Sequence, residues 1–367
     1  MGVLKEGYLF RKVWVIKILK IIDFFLRLKK KFIKPQKLPN NIQSILLIRP
    51  DQLGDILITS SVFPLIRKKY PNANIDLIHS PWTEELLKDN PYISNRYTIR
   101  HYFHNRTNIP KWKKWIIFFK DYISLFFKLR KKHYDVCIIM RSYAWNLITL
   151  AKMINCKCII SHKTGGLGEL ADIVIEWVDG KHEVEHFLEL LEPLGVKADV
   201  KDLRYFLTFS PLHEKRSIEI LNKYQLSPKN FVIIHPGSGE PKRRLKPSTW
   251  ARIIQKRIED EIVVFTGTKS EQKLMDDILR EYYKIPNYKN KRFYNLMGEF
   301  SIRELALFFK YAKKIYTVES LAMHLTQFSD TPVEVFWISH NADYQWKVLN
   351  KSNLTITKIN EDTYLIE

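Results

Sequence analysis

The sequence predicts two doubly wound, Rossmann-like α/β domains facing a cleft, preceded by a basic amphipathic helix. Three observations carry this expectation. The chain has 367 residues and 46% hydrophobic content, enough to bury two ordinary cores. From residue 44 onward, short uninterrupted apolar runs alternate with helical stretches, the pattern of parallel strands covered on both faces. The alternation fades over residues 197–230 and then restarts, which marks a junction between two such units. The expected organisation is an N-terminal helix over 1–40, a first Rossmann-like domain over 41–205, a second over 206–350, and a tail over 351–367.

Residues 1–34 carry ten Lys/Arg against Glu6 and Asp23, a net +8. Lys17, Lys20 and Asp23 interrupt any secretory h-region, and no apolar run reaches the ~20 residues of a membrane span. On a helical wheel, Lys17, Lys20, Asp23, Arg27, Lys30, Lys31 and Lys34 share one side. Trp14, Ile18, Ile21, Ile22, Phe25 and Leu28 share the other. Two readings stay open: a helix lying in a membrane interface, or one packed on the protein's own core with a solvated basic face.

The first domain should then run as SILLIR and a helix to about Tyr70, NIDLIH and a helix opening at Pro81 and Trp82, a short RYTIR strand, and the strands YDVCIIM, KCIIS and DIVIEWV. Between the third and fourth strands lies a second basic, aromatic segment, KWKKWIIFFKDYISLFFKLRKK. Residues 100–134 hold ten Lys/Arg against Asp121, a net +9, so the two segments account for +17 of the chain's +21. Trp112, Lys113, Lys114 and Trp115 open it. Part of its apolar face is expected in the core; the rest suits a lipid surface better than a nucleic-acid groove, because its apolar share is large. The second domain reads FVIIHPG with a helix from Trp250, IVVFTG with a helix from Ser270, RFYNLMG with a helix from Ser301, KIYTV with a helix from about Leu321, and PVEVFW. Cys137, Cys156 and Cys158 form neither a metal nor a disulfide framework, and read as buried reduced thiols.

Four strand exits carry unusual residues, and in an open parallel sheet such exits line one rim, where ligands bind. Asp51-Gln-Leu-Gly-Asp55 follows the first strand. Gly54 permits a sharp turn, and Asp55 is either a helix N-cap or a general base. Arg141, at the end of YDVCIIM, is placed with Gly54 on the acceptor side. HPGSGEPKRRLKPSTW offers the backbone N–H groups of Gly237, Ser238 and Gly239, with Lys242, Arg243, Arg244 and Lys246 beside them, which favours an anion site. In FTGTKSEQ, Gly267 ends a strand; Glu271 suits a ribose hydroxyl and a helix first turn equally. TVESLAMHL places Glu319, Ser320 and His324 around a helix start that favours a diphosphate, although His324 alone would read as structural.

Together these stretches resemble the heptosyltransferases, glycosyltransferase family 9, over about residues 44–340. The most specific part is ILLIRPDQLGDILITSSVFPLIRKKYPNANIDLI, and LRKKHYDVCIIM and HEVEHFLELLEPLGV are similar to further landmarks. The resemblance implies a GT-B fold. It implies Asp55 as catalytic aspartate, Ser238 and Gly239 in the phosphate loop, Arg244 where a lysine is usual, Glu271 against the donor ribose, and Glu319, Ser320 and His324 in the donor loop. Glu319 stands for the family's Asp, Leu321 for its Gly, and Ser61 where proline is common.

The expected activity is inverting, metal-independent sugar transfer without a cofactor, and no Asp-x-Asp pair occurs in the chain. The co-substrate is a nucleoside-diphosphate sugar, ADP-linked by the resemblance. The acceptor is a lipid-linked saccharide at the anionic inner leaflet of a bacterial cytoplasmic membrane. There the chain would sit as a peripheral cytoplasmic protein, docked through Trp14, Lys17, Lys20, Phe25, Arg27, Trp112, Lys113, Lys114 and Trp115. No nucleic acid is expected. The alternatives are a nucleotide-sugar epimerase of the same fold and a non-catalytic sugar-nucleotide binder.

Overall fold

A computed structural model describes residues 13–32, 35–141, 145–164, 166–259, 262–338 and 343–359. The chain forms two compact units that meet in sequence at Phe206 and Leu207, with Tyr344–Trp346 belonging to the first.

The first unit runs α1 (Val13–Phe32), β1 (Ser44–Arg49), α2 (Leu53–Thr59), α3 (Phe63–Lys69), β2 (Asn74–His79), α4 (Glu84–Leu87), β3 (Asn95–Thr98), α5 (Lys111–Leu129), β4 (Val136–Ile139), α6 (Trp145–Met153), β5 (Cys158–His162), β6 (Ile173–Ile175) and α7 (Glu183–Leu191). Its sheet has the order β3-β2-β1-β4-β5-β6, and every pairing is parallel. Central strands buried on both faces need apolar side chains on both, which is why β1 and β4 read as unbroken runs. Phe118, Leu125 and Leu129 of α5 and Leu147, Ile148 and Ala151 of α6 cover Leu46, Ile48, Ile139 and Ile159. All three cysteines are free and buried.

The second unit runs α8 (Pro211–Lys223), β7 (Val232–His235), α9 (Pro247–Arg257), β8 (Ile262–Phe265), α10 (Gln272–Tyr283), β9 (Arg292–Asn295), α11 (Ile302–Phe308), β10 (Lys314–Val318), α12 (Leu321–Leu325), β11 (Val333–Trp337) and β12 (Leu354–Lys358). Its parallel sheet has the order β12-β11-β10-β7-β8-β9, the same winding as the first. In both sheets the strand order reverses beside the first strand, between β1 and β4 and between β7 and β10. Ligands of doubly wound sheets bind at such switch points.

Several local expectations differ from the structure for physical reasons. The helix expected to Tyr70 is interrupted by a 3₁₀ turn at Ser60–Val62. The Ser60 and Ser61 hydroxyls donate back to the Leu57 and Ile58 carbonyls, and Pro64 follows. The helix expected at Pro81 is one 3₁₀ turn leading into the four-residue α4. The helix expected from Trp250 starts at Pro247, where proline fits the first turn. The expected C-terminal tail supplies β12, whose LTITK alternation is β-branched and pairs with β11.

Helix α1 rests on the 3₁₀ turn Gly168–Leu170 and its approach. Ile16 and Leu19 are buried, and Leu19 packs against Gly166, where a Cβ would come within 2.6 Å of it. Asp23, expected on the solvated basic side, is buried and accepts from the Leu167 N–H at 2.9 Å; Arg27 pairs with Glu169 at 3.1 Å. The face of Trp14, Ile18, Ile21, Ile22, Phe25 and Leu28 is exposed, as are Lys17 and Lys20. Lys30, Lys31 and Lys34 lie outside the described side chains. On α5, Trp115 is not a surface residue as expected: it stacks on Tyr102 at 3.6 Å and packs on the core. Lys114 donates to the Asn105 carbonyl at 2.7 Å. The exposed stripe is instead Trp112, Ile116, Phe119, Ile123 and Phe127, each more than half exposed, with Lys113 beside it. No helix among the described residues is long and apolar enough to cross a membrane.

Candidate active site

The chain leaves β1 through Arg49, turns at Asp51, and enters α2 with Gln52 as N-cap. The turn is pinned by the Trp82 indole, which donates to the Asp51 carbonyl at 3.0 Å. Asp55 is therefore not the N-cap. It stands at the third helical position, and its Oδ2 accepts from the Gln52 N–H at 3.0 Å. Gly54 is helical and has no positive φ; it serves no sharp turn.

Side chains from four further segments converge on this exit. Arg49 lies 2.9 Å by Nε from Asp51 Oδ2, a charge contact rather than an aligned hydrogen bond. Its Nη1 donates to the Met140 carbonyl, its Nη2 to Glu183 Oε1 at 3.0 Å, and its plane covers the Phe187 ring at 5.0 Å. Arg141 pairs with Asp51 Oδ1, and His104 Nε2 approaches the same oxygen at 2.9 Å. Gln52 Nε2 holds the His104 carbonyl at 2.8 Å, and His101 contacts Asn146 at 2.9 Å.

These contacts separate the two aspartates electrostatically. Burial works against an ionised Asp51, but Arg141, then Arg49 and His104, outweigh it and hold its carboxyl well below the usual range. Burial, then the Asp51 charge, pushes Asp55 up; Arg49, His104 and the Gln52 N–H oppose this. Burial and then Arg141 lower both His104 and His101, His101 to about 3, so both rings are neutral near pH 7. The result is a partly exposed carboxylate of raised basicity beside one that stays charged, the arrangement a general base requires.

In the second unit the β7 exit meets the β10 exit. Ser238 Oγ donates to the Glu319 carbonyl at 3.2 Å. Arg244 donates to the Ser238 carbonyl through Nε at 2.8 Å and Nη2 at 2.6 Å, so this arginine braces the loop. Glu271 is buried; its Oε2 accepts from the Thr268 N–H and hydroxyl, both at 2.9 Å, closing the 3₁₀ turn Lys269–Glu271. Its carboxylate fills the space a Cβ on Gly237 would need, and lies 3.0 Å from that of Gly267. These two glycines thus admit an acidic side chain. Arg243, expected among the cations of the anion site, pairs with the buried Glu319 at 2.8 Å. The extra methylene of Glu over Asp lets it reach that guanidinium.

Gly239 and Lys246 are exposed at the mouth of the loop, and Lys246 is the N-cap of α9. Ser320 caps α12 by position, without a side-chain bond to it, and His324 is buried. With five residues, α12 has little macrodipole, so an anion there would rely on individual N–H groups. Burial lowers His235 to about 4, against Glu271, and leaves it neutral under Thr266.

Among the described residues, His162, His186 and Glu189 bring potential metal-ligand atoms within 4.8 Å of one another. Lys181 already holds Glu189, and Trp177 stacks on His186 at 3.5 Å. The predicted residues thus gather at two strand-order reversals: Gly54, Asp55 and Arg141 in the first unit, and Gly237, Ser238, Gly239, Arg244, Glu319 and Ser320 in the second, where Glu271 reaches Gly237 from the neighbouring β8 exit that Gly267 opens. Sequence reasoning missed Arg49, His101, His104 and Glu183. The one signal for Arg49 was a charge ending an otherwise apolar strand.

The family model of glycosyltransferase family 9 (heptosyltransferase) matches residues 122–361. The chain belongs to glycosyltransferase family 9. A family 9 chain is a glycosyltransferase, and its relatives carry such names. Over 298 residues it is 23% identical to lipopolysaccharide heptosyltransferase 3 of Escherichia coli, covering 77% of this chain and 82% of that one. A family 9 glycosyl transferase from Veillonella parvula shares the fold with a TM-score of 0.66 at 14% identity, over 88% of this chain and 87% of that chain. The E. coli ADP-heptose lps heptosyltransferase II does so with a TM-score of 0.63 at 18% identity, over 85% and 89%.

Proposed function

We propose that this family 9 chain is an inverting, metal-independent glycosyltransferase. It moves heptose or a related sugar from a nucleoside-diphosphate donor, ADP-linked, to a lipid-linked saccharide such as the lipopolysaccharide core. The observation that carries the reading is Asp55, a carboxylate with 19% side-chain exposure at the β1 exit, raised in basicity by burial and by Asp51. In the reaction Asp55 takes the proton of an acceptor hydroxyl as that oxygen bonds to the anomeric carbon. The bond from that carbon to the diphosphate breaks on the opposite face, and the electron pair leaves with the nucleoside diphosphate. The exposed Lys242 and Lys246 supply positive charge for the leaving diphosphate, beside Arg243, which is paired with Glu319. The 237–239 backbone, braced by Arg244, supplies N–H groups. Glu271 is the candidate partner of the donor ribose through Oε1, the oxygen not used in its turn, which stands 3.5 Å from Arg244 Nη2. Glu319, Ser320 and His324 form the rest of the donor side, and Gly54 and Arg141 the acceptor side.

Such an acceptor lies at the inner face of the cytoplasmic membrane, and two surfaces suit an anionic leaflet. The α5 stripe of Trp112, Ile116, Phe119, Ile123 and Phe127 lies among lysines, and Trp14, Ile18 and Phe25 of α1 lie beside Lys17 and Lys20.

The test is a screen of nucleotide sugars by thermal shift, followed by transfer to lipid-linked saccharides read by mass. A ligand at 100 times its Kd stabilises the folded state by about 2.7 kcal/mol. Transfer of one sugar with release of the nucleoside diphosphate is expected. Interconversion of free nucleotide sugar without acceptor would make the chain an epimerase, and binding without turnover would make it a sugar-nucleotide binder.

A further inference from the structure

Sugar transfer by Asp55 has no direct use for Asp51, yet the buried charges of the first unit are built around it. Asp51 is 3% exposed. Arg141 and His104 hold its Oδ1, and Arg49 Nε stands 2.9 Å from its Oδ2. The terminal nitrogens of Arg49 are engaged elsewhere, Nη1 by the Met140 carbonyl and Nη2 by Glu183 at 3.0 Å. Glu183 is itself fixed through its other oxygen by Gln345 at 2.9 Å. What remains for Asp55 is a contact of 3.7 Å with Arg49 Nη2 and the Gln52 N–H. The charged and titratable groups around Asp55 are therefore Arg49 from β1, Asp51 from the turn, His101 and His104 from the segment before α5, Arg141 after β4, and Glu183 from α7. Two guanidinium groups serve three carboxylates, and Asp55 is the one left with the weakest pairing.

We propose that Asp51 is a positioning residue: by occupying Arg141 and one edge of Arg49, it keeps both guanidinium groups from closing on Asp55, which stays free to accept a proton. The inference rests on Asp55 being the base. An arginine within 4–6 Å lowers a carboxyl pKa by about 1–3 units, so a fully paired Asp55 would be a poor base near neutrality. Asp51 prevents that pairing by being the better partner. It contacts both Arg141 and Arg49, whereas Asp55 reaches only Arg49, and at 3.7 Å.

The experiment is the pH dependence of kcat/KM for sugar transfer, whose acid limb reports the base of the free enzyme. In Asp51→Asn the limb should move down by about 1–3 pH units, with kcat reduced on the plateau and the donor KM little changed. Asp51→Glu should return the limb towards that of the parent. Arg141→Gln, which removes a competing cation and leaves Asp51 less neutralised, should move it up. An Asp51→Asn enzyme with an unmoved acid limb would overturn the proposal. If that variant does not fold, an unmoved or lowered limb in Arg141→Gln does the same. Failure of the base assignment is separable, because then Asp55→Asn would retain transfer whatever Asp51 does.

Discussion

Asp55→Asn separates the two things Asp55 does, because the amide oxygen of asparagine can still accept from the Gln52 N–H. The cap contact, now 3.0 Å, is thereby kept, so no more than about 1 kcal/mol of helix-start stability is at stake. The charge is lost, and with it the base. General-base removal costs about 10²–10⁴-fold in rate, or roughly 3–5 kcal/mol of barrier at 1.36 kcal/mol per decade. Stability should change with the opposite sign. Burial and then Asp51 raise the folded pKa of Asp55, so its ionised form is disfavoured in the fold. Below the unfolded value of about 3.9 both states carry the proton and the residue contributes nothing. Above it the unfolded chain ionises more readily, and stability is lost until the folded pKa is passed. Asparagine removes that loss. The variant should therefore match the parent near pH 3.5 and become the more stable of the two as pH rises towards 7. The assays are sugar transfer and thermal unfolding across that range. Transfer close to that of the parent would refute the base assignment. A pH-independent drop in unfolding temperature would show that Asp55 is only a helix-start residue.

Ile116→Glu, Phe119→Glu and Ile123→Glu together should weaken sedimentation with anionic vesicles at low salt, leaving what α1 contributes, and leave the unfolding temperature nearly unchanged, since all three side chains are exposed. Binding by the parent should weaken as salt screens its lysines. Gly237→Ala should force the Glu271 carboxylate out of its bonds to Thr268, costing about 0.5–2 kcal/mol in unfolding by denaturant and weakening donor binding in a thermal-shift titration. Trp250→Ala should destabilise the second unit by about 3–5 kcal/mol, because Trp250 is fully buried and packs edge-on to Phe336 at 5.4 Å. Trp250→Phe should cost much less, since the indole N–H has no hydrogen-bond partner to lose.

The two parallel sheets were legible because a strand covered on both faces must be apolar at every position. SILLIR, VCII, VIIH and IVVF meet that demand except at their polar ends, Ser44, Arg49 and His235. Asp55, Ser238 and Glu319 were legible for a related reason: polar residues directly after such runs stand at the rim where ligands bind. Helix details were less so. Ser60 and Ser61 bend the chain by bonding backwards, a choice that apolar periodicity does not record. Trp112 and Trp115 are three residues apart on one helix, and only the presence of Tyr102 beneath Trp115 decides which of them is core. Asp23 looked like part of a solvated face because its partner, the Leu167 N–H, is 144 residues away.

By itself, then, the sequence determined the two alternating series of strands and helices and the strand exits at which chemistry is possible, since burial demands write themselves locally at a period of one or two elements. The tertiary structure alone decided what each exit does. Arg49, Asp51, Arg141 and Glu183 come from positions up to 134 residues apart and meet only because β1 and β4 are neighbours and α7 packs beside them. Charge in a low-dielectric interior acts through distance, not through order along the chain. Whether a carboxylate is a paired anchor like Asp51 or a base like Asp55 is therefore set by the guanidinium groups that the fold brings to it.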